Sequence, residues 1–244
     1  FEQLGLKKLI TTCYKNQERD LFSRNDSERA IWLEYNGDRN GNRVPDPEEI
    51  GIHDLNGDGD FRSPECGKLL KEGDIVSVDC GTLLDGFCGD SCYTFTVGEV
   101  RPEVRELLRV TKESLYKAIE TSIVGRRLGD IGAVVQQHCE RHGYGVVREF
   151  VGHGIGREMH EDPQVPNYGR QGTGKQLKNG LCIAIEPMIT LGSPEIALKE
   201  DRWSVVTRDG SPAAHFEHTI AIHHGKAEIL SSFTEIEEVE RQNN

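Results

Sequence analysis

The amino-acid sequence predicts an α+β fold built on an antiparallel sheet. Three observations carry that reading: a strand–turn–strand pattern over 74–97, two amphipathic helical segments between 102 and 143, and three more strand-like runs after them. Residues 3–34 read as helical, with apolar positions at Leu4, Leu6, Leu9, Ile10 and Tyr14 and later at Ile31 and Leu33. Residues 36–67 are rich in Gly, Asp, Asn and Pro and supply little core. From Asp74, "DIVSVDC" and "SCYTFTVG" read as strands around an Asp-Gly turn at 85–86, because both turn residues tolerate positive φ. "PEVRELLRVTKESLYKAIE" starts a helix at Pro102, with Val104, Leu107, Leu108, Val110, Leu115, Ala118 and Ile119 on one face. "LGDIGAVVQQHCERHG" reads as a second helix ending at Gly143. "VVREFVGH", "GLCIAIEPMI" and "AAHFEHTIAIHH" complete the sheet.

Composition narrows the function classes. The 244 residues suffice for one large domain or two small ones, and 29% charged against 36% hydrophobic residues describes a soluble globular chain. No run approaches the ~20 apolar residues of a membrane span. A formal charge of −12, with acid clusters at 46–65 and 235–240, argues against nucleic acid as a partner. The seven cysteines, at 13, 66, 80, 88, 92, 139 and 182, form no CxxC pair. Cys88 and Cys92 lack the second pair that a zinc site needs, so reduced thiols and a cytoplasmic address are expected. No segment reads as a signal peptide, and the chain opens on Phe1 rather than Met, which leaves room for a start upstream.

The hairpin holds an oddity. Asp79 lies in one arm and Asp90 in the other, and in either plausible register of the turn both fall on one face. Two carboxylates side by side repel unless something positive lies between them. Glu186 repeats the oddity after the apolar run Ile183, Ala184, Ile185, and Glu217 does so among Phe216, Ile220 and Ile222. His153 sits in the glycine-rich "GHGIGREMHEDP". Each alone is more simply a loop residue or a solvated strand residue. Four strand-borne acids with a histidine call for cations, and oxygen and imidazole donors without thiolate suit two divalent ions such as Co, Mn, Fe or Zn.

"DCGTLLDGFCGDS", "GHGIGREMHEDPQVPNYG", "IAIEPMIT" and "HFEHTIAI" resemble, in order and over about residues 68–230, the motifs of type I methionine aminopeptidases. The prolidase and aminopeptidase P branch instead carries an Arg-Ile-Glu-Asp setting around its last acid. The resemblance implies a pita-bread fold, a single catalytic domain over 1–244, and removal of N-terminal methionine by metal-activated water. It implies Asp79, Asp90, His153, Glu186 and Glu217 as metal ligands, with Asp90 and Glu217 bridging both ions. Glu186 would also move the proton, and His160 would stabilise the tetrahedral intermediate. Met159 and Trp203 would line the methionine pocket, and His53 in "PEEIGIHDL" would be a substrate-contacting histidine. Methionyl peptides or nascent chains are the implied partners, with the ribosome beside them, and a monomer is expected.

The N-terminal third departs from that pattern. "DLNGDGDFRSPE" fits a calcium loop, with Asp54, Asn56, Asp58, Asp60 and Glu65 as donors and Gly59 at the turn. "DRNGNRVPDPEE" echoes it with Arg43 in place of the glycine. Calcium here would order an insertion at about 36–67, although a solvated turn explains the composition equally well. Two other readings of the chain are a pita-bread peptide-binding protein without peptidase activity and an aminopeptidase of different N-terminal specificity.

Overall fold

The computed structural model describes residues 72–200 and 204–243, together with the backbones of three strands before them. In chain order the elements are β1 (Leu9–Cys13), β2 (Ile31–Tyr35), β3 (Ile50–Ile52), β4 (Ile75–Leu84), β5 (Phe87–Thr96), α1 (Pro102–Thr121) and α2 (Leu128–Arg141). They continue with β6 (Gly145–Val146), β7 (Gly152–Gly154), β8 (Glu161–Val165), β9 (Cys182–Ile185), β10 (Met188–Thr190), β11 (Ile196–Leu198) and β12 (Val205–Thr207). Last come β13 (Ala213–His215), β14 (Glu217–His223), β15 (Lys226–Ile229) and α3 (Thr234–Asn243).

The fold is α+β, and every strand pairing among the described residues is antiparallel. The main sheet runs in the order β3-β2-β1-β4-β5-β14-β9-β7-β8, with β15 also on β14. The β4–β5 hairpin turns at Asp85 and Gly86, whose φ values of 50° and 81° are those the Asp-Gly pair was expected to supply. This turn pairs Asp79 with Cys92 and Gly81 with Asp90, so both acids share a face.

Helices α1 and α2 form where the 3.6-residue pattern placed them. Val104, Leu107, Val110, Leu115, Ala118 and Ile119 of α1 and Ile131, Val135 and Cys139 of α2 are buried. All of these but Val104 pack with Ile183, Ile185, Ile189, Phe216, Ile220 and Ile222 from the strands in one continuous core. Gly143, just past α2, has φ 79°, the left-handed cap its position calls for.

Several expectations are corrected. The helix expected over 3–34 is absent where the backbone is described: 9–13 and 31–35 are strands joined to each other and to β4. "LITTC" and "IWLEY" are rich in β-branched and aromatic residues, and a sheet edge to pair with outweighs a loose helical spacing. Within the insertion, 50–52 forms the edge strand β3. Of "VVREFVGH", only its first residue and its end are strand, in β6 and β7. The other two runs are each broken in two. Pro187, with no N–H for the ladder, separates β9 from β10, and Phe216 separates β13 from β14. In both cases the first or last piece leaves the main sheet for a three-stranded one, β13-β10-β6.

Candidate metal centre

The five donors named from the sequence occupy neighbouring strands. Asp79 is on β4, Asp90 on β5, Glu217 opens β14, Glu186 follows the last residue of β9, and His153 is the middle of β7. Those strands are consecutive in the sheet. On a flat sheet β5 and β7, with two strands between them, would stand about 14 Å apart. His153 Nε2 nevertheless lies 3.8 Å from Asp90 Oδ2 and 3.5 Å from Glu186 Oε1, so the sheet curls and its concave face gathers the donors. The Asp79 carboxyl is hydrogen-bonded to those of Asp90 and Glu217. One donor atom each from Asp90, His153 and Glu217 falls within a 4.8 Å span.

Local sequence explains each placement. Gly152 and Gly154 flank His153 because β7 is wedged between neighbours: a Cβ at 152 would meet Ala184 O at 2.3 Å and one at 154 would meet Asp162 O at 2.4 Å. Asn167, itself buried, donates from Nδ2 to the backbone carbonyl of Glu186 at 2.9 Å and holds the chain where β9 ends. The Ser91 N–H donates to Asp90 Oδ1.

The electrostatics of the cluster are unfavourable as it stands. Burial pushes the carboxyls of Asp79, Glu186 and Glu217 well above the usual carboxylate range, and the neighbouring acids push them further. Burial raises Asp90 as well, against the opposing pull of its bond to Asp79 and of nearby His160. Burial also keeps His153 neutral, its pKa pushed down to about 4. His153 Nδ1 faces Gly154 O at 2.9 Å, and since a carbonyl only accepts, Nδ1 carries the proton. The Nε2 lone pair therefore points at two acids. Among the described residues the ion-pair partners of Asp90 and Glu186 are histidines, not Lys or Arg. Glu217 Oε1 is buried without a hydrogen bond. A lone pair and several carboxyl oxygens converging in a largely enclosed site fit divalent cations, and the donor set of oxygens and one imidazole fits the borderline ions rather than thiolate-seeking ones.

Other expected site residues fall in different places. The His160 ring lies 4.4 Å from that of His153, on the exposed side of the cluster. Met159 is 2% exposed, and its Cε sits 2.5 Å from where a Cβ on Gly81 would be, against the strand that carries Asp79. His53, Trp203 and the calcium-loop residues Asp54, Asn56, Asp58, Asp60 and Glu65 lie outside the described residues.

His215 is a member the sequence reading passed over. It is fully enclosed, with Nε2 3.7 Å from Glu186 Oε2, and burial pushes its pKa down to about 3. Its spacing of two from Glu217 was the available signal, because alternation turns both to one side. Asn167 had no such signal.

Residues 46–224 match the family model described as metallopeptidase family M24. A second model, the adenine-specific methyltransferase EcoRI, matches residues 1–81 and overlaps the first, in a region whose described strands extend the main sheet from β4. The chain is 51% identical over 168 residues to a methionine aminopeptidase of Clostridium acetobutylicum, covering 69% of this chain and 67% of that protein. It is 40% identical over 226 residues to methionine aminopeptidase 1 of Bacillus subtilis, covering 93% of this chain and 87% of the relative. The methionine aminopeptidase structure of Thermotoga maritima superposes with a TM-score of 0.66 at 52% identity, over 67% of this chain and 66% of that one. A prolidase of Thermococcus sibiricus shares the pita-bread fold less closely, with a TM-score of 0.54 at 25% identity over 68% of this chain and 40% of that one. With the metallopeptidase match running through both the hairpin and the last acid, and identity that doubles from prolidases to methionine aminopeptidases, the chain belongs to metallopeptidase family M24, on its methionine aminopeptidase branch.

Proposed function

We propose that this chain removes the N-terminal methionine from peptides and nascent proteins by metal-assisted hydrolysis. The observation that carries the reading is the burial of four carboxyls and a neutral imidazole around one point on the concave face of the sheet. Asp79, Asp90, His153, Glu186 and Glu217 would hold two divalent ions, Co, Mn, Fe or Zn. When bound, such ions polarise the scissile carbonyl and lower the pKa of water toward neutrality.

The remaining work falls to side chains. Glu186 would take a proton from the attacking water at a carboxyl oxygen and pass it to the leaving amine. His160, on the open side beside His153, hydrogen-bonds the substrate's peptide group and steadies charge on the carbonyl oxygen. Met159 offers an apolar thioether wall to the methionine side chain, and Trp203 and His53 complete the substrate site. The dry setting of the cluster excludes bulk water from the carboxyls and strengthens every interaction there.

The whole of 1–244 is read as one catalytic domain with an insertion at about 36–67, where Asp54, Asn56, Asp58, Asp60 and Glu65 bind structural calcium. A cytoplasmic monomer acting beside the ribosome fits the substrate class; among the described residues no helix is long and apolar enough to cross a membrane. The test is to strip the protein with a chelator and follow free methionine released from a Met-Gly peptide before and after adding Mn or Co. Release that returns with metal is expected. A fully reloaded protein that leaves the peptide intact overturns the reading.

A further inference from the structure

Strand β14 changes partner along one edge. Glu217 and His218 pair with Cys92 and Ser91 of β5, whereas Ile220 onward pairs with β15. Thr219 stands at the switch. Its own backbone groups are taken on the β15 side: its N–H donates to Ser231 Oγ at 3.2 Å and its carbonyl accepts from Leu230 N at 2.9 Å. Asp90, the next residue of β5 in the register, is left with its N–H and C=O facing an edge that has turned away. Buried backbone groups in that position need partners.

The Thr219 hydroxyl supplies both. It accepts from Asp90 N at 2.8 Å and donates to Asp90 O at 2.8 Å, while the residue itself is 3% exposed. One hydroxyl thus replaces two ladder bonds and ties the backbone of Asp90 to the strand that carries Glu217. The strand is held from behind as well. Ser231 Oγ, having accepted from Thr219 N, is 2.8 Å from His218 Nδ1, and the His218 ring stacks on Phe233 at 3.8 Å.

We infer that Thr219 is a positioning residue for the metal centre: its hydroxyl sets the spacing between Asp90 and Glu217, two of the carboxylates that would hold the ions. The inference rests on the metal-ligand reading of Asp90 and Glu217. The Thr219 hydroxyl is engaged by the backbone of Asp90, so its effect appears in metal affinity and coordination before it appears in turnover.

The experiment titrates the chelator-stripped full chain with Co(II), reading affinity by calorimetry and coordination by the visible absorption spectrum. Far-UV circular dichroism checks that each variant is folded. Thr219→Val, which keeps the shape and loses the hydroxyl, is expected to bind Co(II) about 10- to 100-fold more weakly, the range for partners that orient ligands, with an altered spectrum. Thr219→Ser, which keeps the hydroxyl, is expected to match the wild type in both. If Thr219→Val does not fold, Thr219→Cys replaces it, with weaker Co(II) binding still expected because a thiol bonds poorly. A folded Val or Cys variant with wild-type affinity and spectrum overturns the inference, and so does a Ser variant as weak as Val. A wild-type chain that binds no Co(II) overturns instead the metal reading beneath it.

Discussion

Glu217→Gln should stabilise the metal-free protein and remove its response to metal. Glu217 is 1% exposed, one of its oxygens lacks a hydrogen bond, and its donor oxygen lies within 4.8 Å of that of Asp90. Two ionised carboxylates at that distance repel by about 3.5 kcal/mol at an effective dielectric of about 20. Holding Glu217 protonated instead, from an ordinary value of 4.5 up to pH 7, costs at most about 3.4 kcal/mol at about 1.36 per unit. By either route the penalty is at most about 3.5 kcal/mol. Its sign follows from the raised folded-state pKa: the cost is absent below 4.5 and grows as pH rises toward the folded value.

A neutral amide avoids that cost, so in chelator at pH 7.5 the variant should melt up to about 7–14 °C above the wild type, at about 2–4 °C per kcal/mol for a chain this size. At pH 4.5 the gap should close. With metal at 100 times its dissociation constant the wild type should gain about 2.7 kcal/mol, and the variant much less. Differential scanning calorimetry in chelator and in Mn(II), at both pH values, measures all four cases. A variant that melts below the wild type in chelator at pH 7.5, or that keeps the full metal-induced shift, refutes the idea of a buried acid cluster built around cations.

Gly132→Ala should destabilise by about 1–2 kcal/mol, although alanine normally strengthens a helix interior by about 1 kcal/mol, because overpacking outweighs it. A Cβ there would meet the backbone oxygens of Tyr168 and Pro166 at 2.2 and 2.6 Å, which cannot yield as a side chain does; chemical denaturation reads the change. His218 is buried between Ser231 and Phe233 with its pKa pushed down to about 4 from 6.5, so the stability it contributes is present above 6.5 and drains away as pH falls to about 4. His218→Gln should therefore lose about 2–3 kcal/mol less between those pH values than the wild type, a difference that urea melts at pH 7 and pH 4.5 would expose. His160→Ala should lower kcat about 100-fold while leaving bound metal per chain unchanged by elemental analysis, and equal loss of metal would assign His160 to the wrong task.

Local chemistry was legible wherever a short stretch decides its own conformation. Asp85-Gly86 marked the hairpin turn, and in either register it allowed, Asp79 and Asp90 share a face; the structure selects the one that pairs Asp79 with Cys92. Spacing alone marked α1 and α2. Each acid of the cluster could be singled out because a carboxyl amid Ile and Ala is expensive without a partner. Where neighbours far along the chain decide, the reading failed. β1 and β2 looked helical because their apolar spacing is weak and the edge of β4, on which β1 pairs and β2 follows, is distant. The breaks after Ile185 and at Phe216, which send half of each run to a second sheet, were hidden in runs that read as continuous.

The residues by themselves pointed to the kind of centre, since acids and a histidine in apolar strands are costly without a partner. Tertiary structure decided that they meet. Asp79 and Glu217 are brought together by the order β4-β5-β14-β9-β7 and by the curl that puts His153 within reach of Asp90. No local pattern encodes either, because strand order and curvature come from the packing of the whole sheet against α1 and α2. Thr219 follows the same logic: the sequence shows only a threonine, but the parting of β14 from β5 gives its hydroxyl two backbone groups to hold.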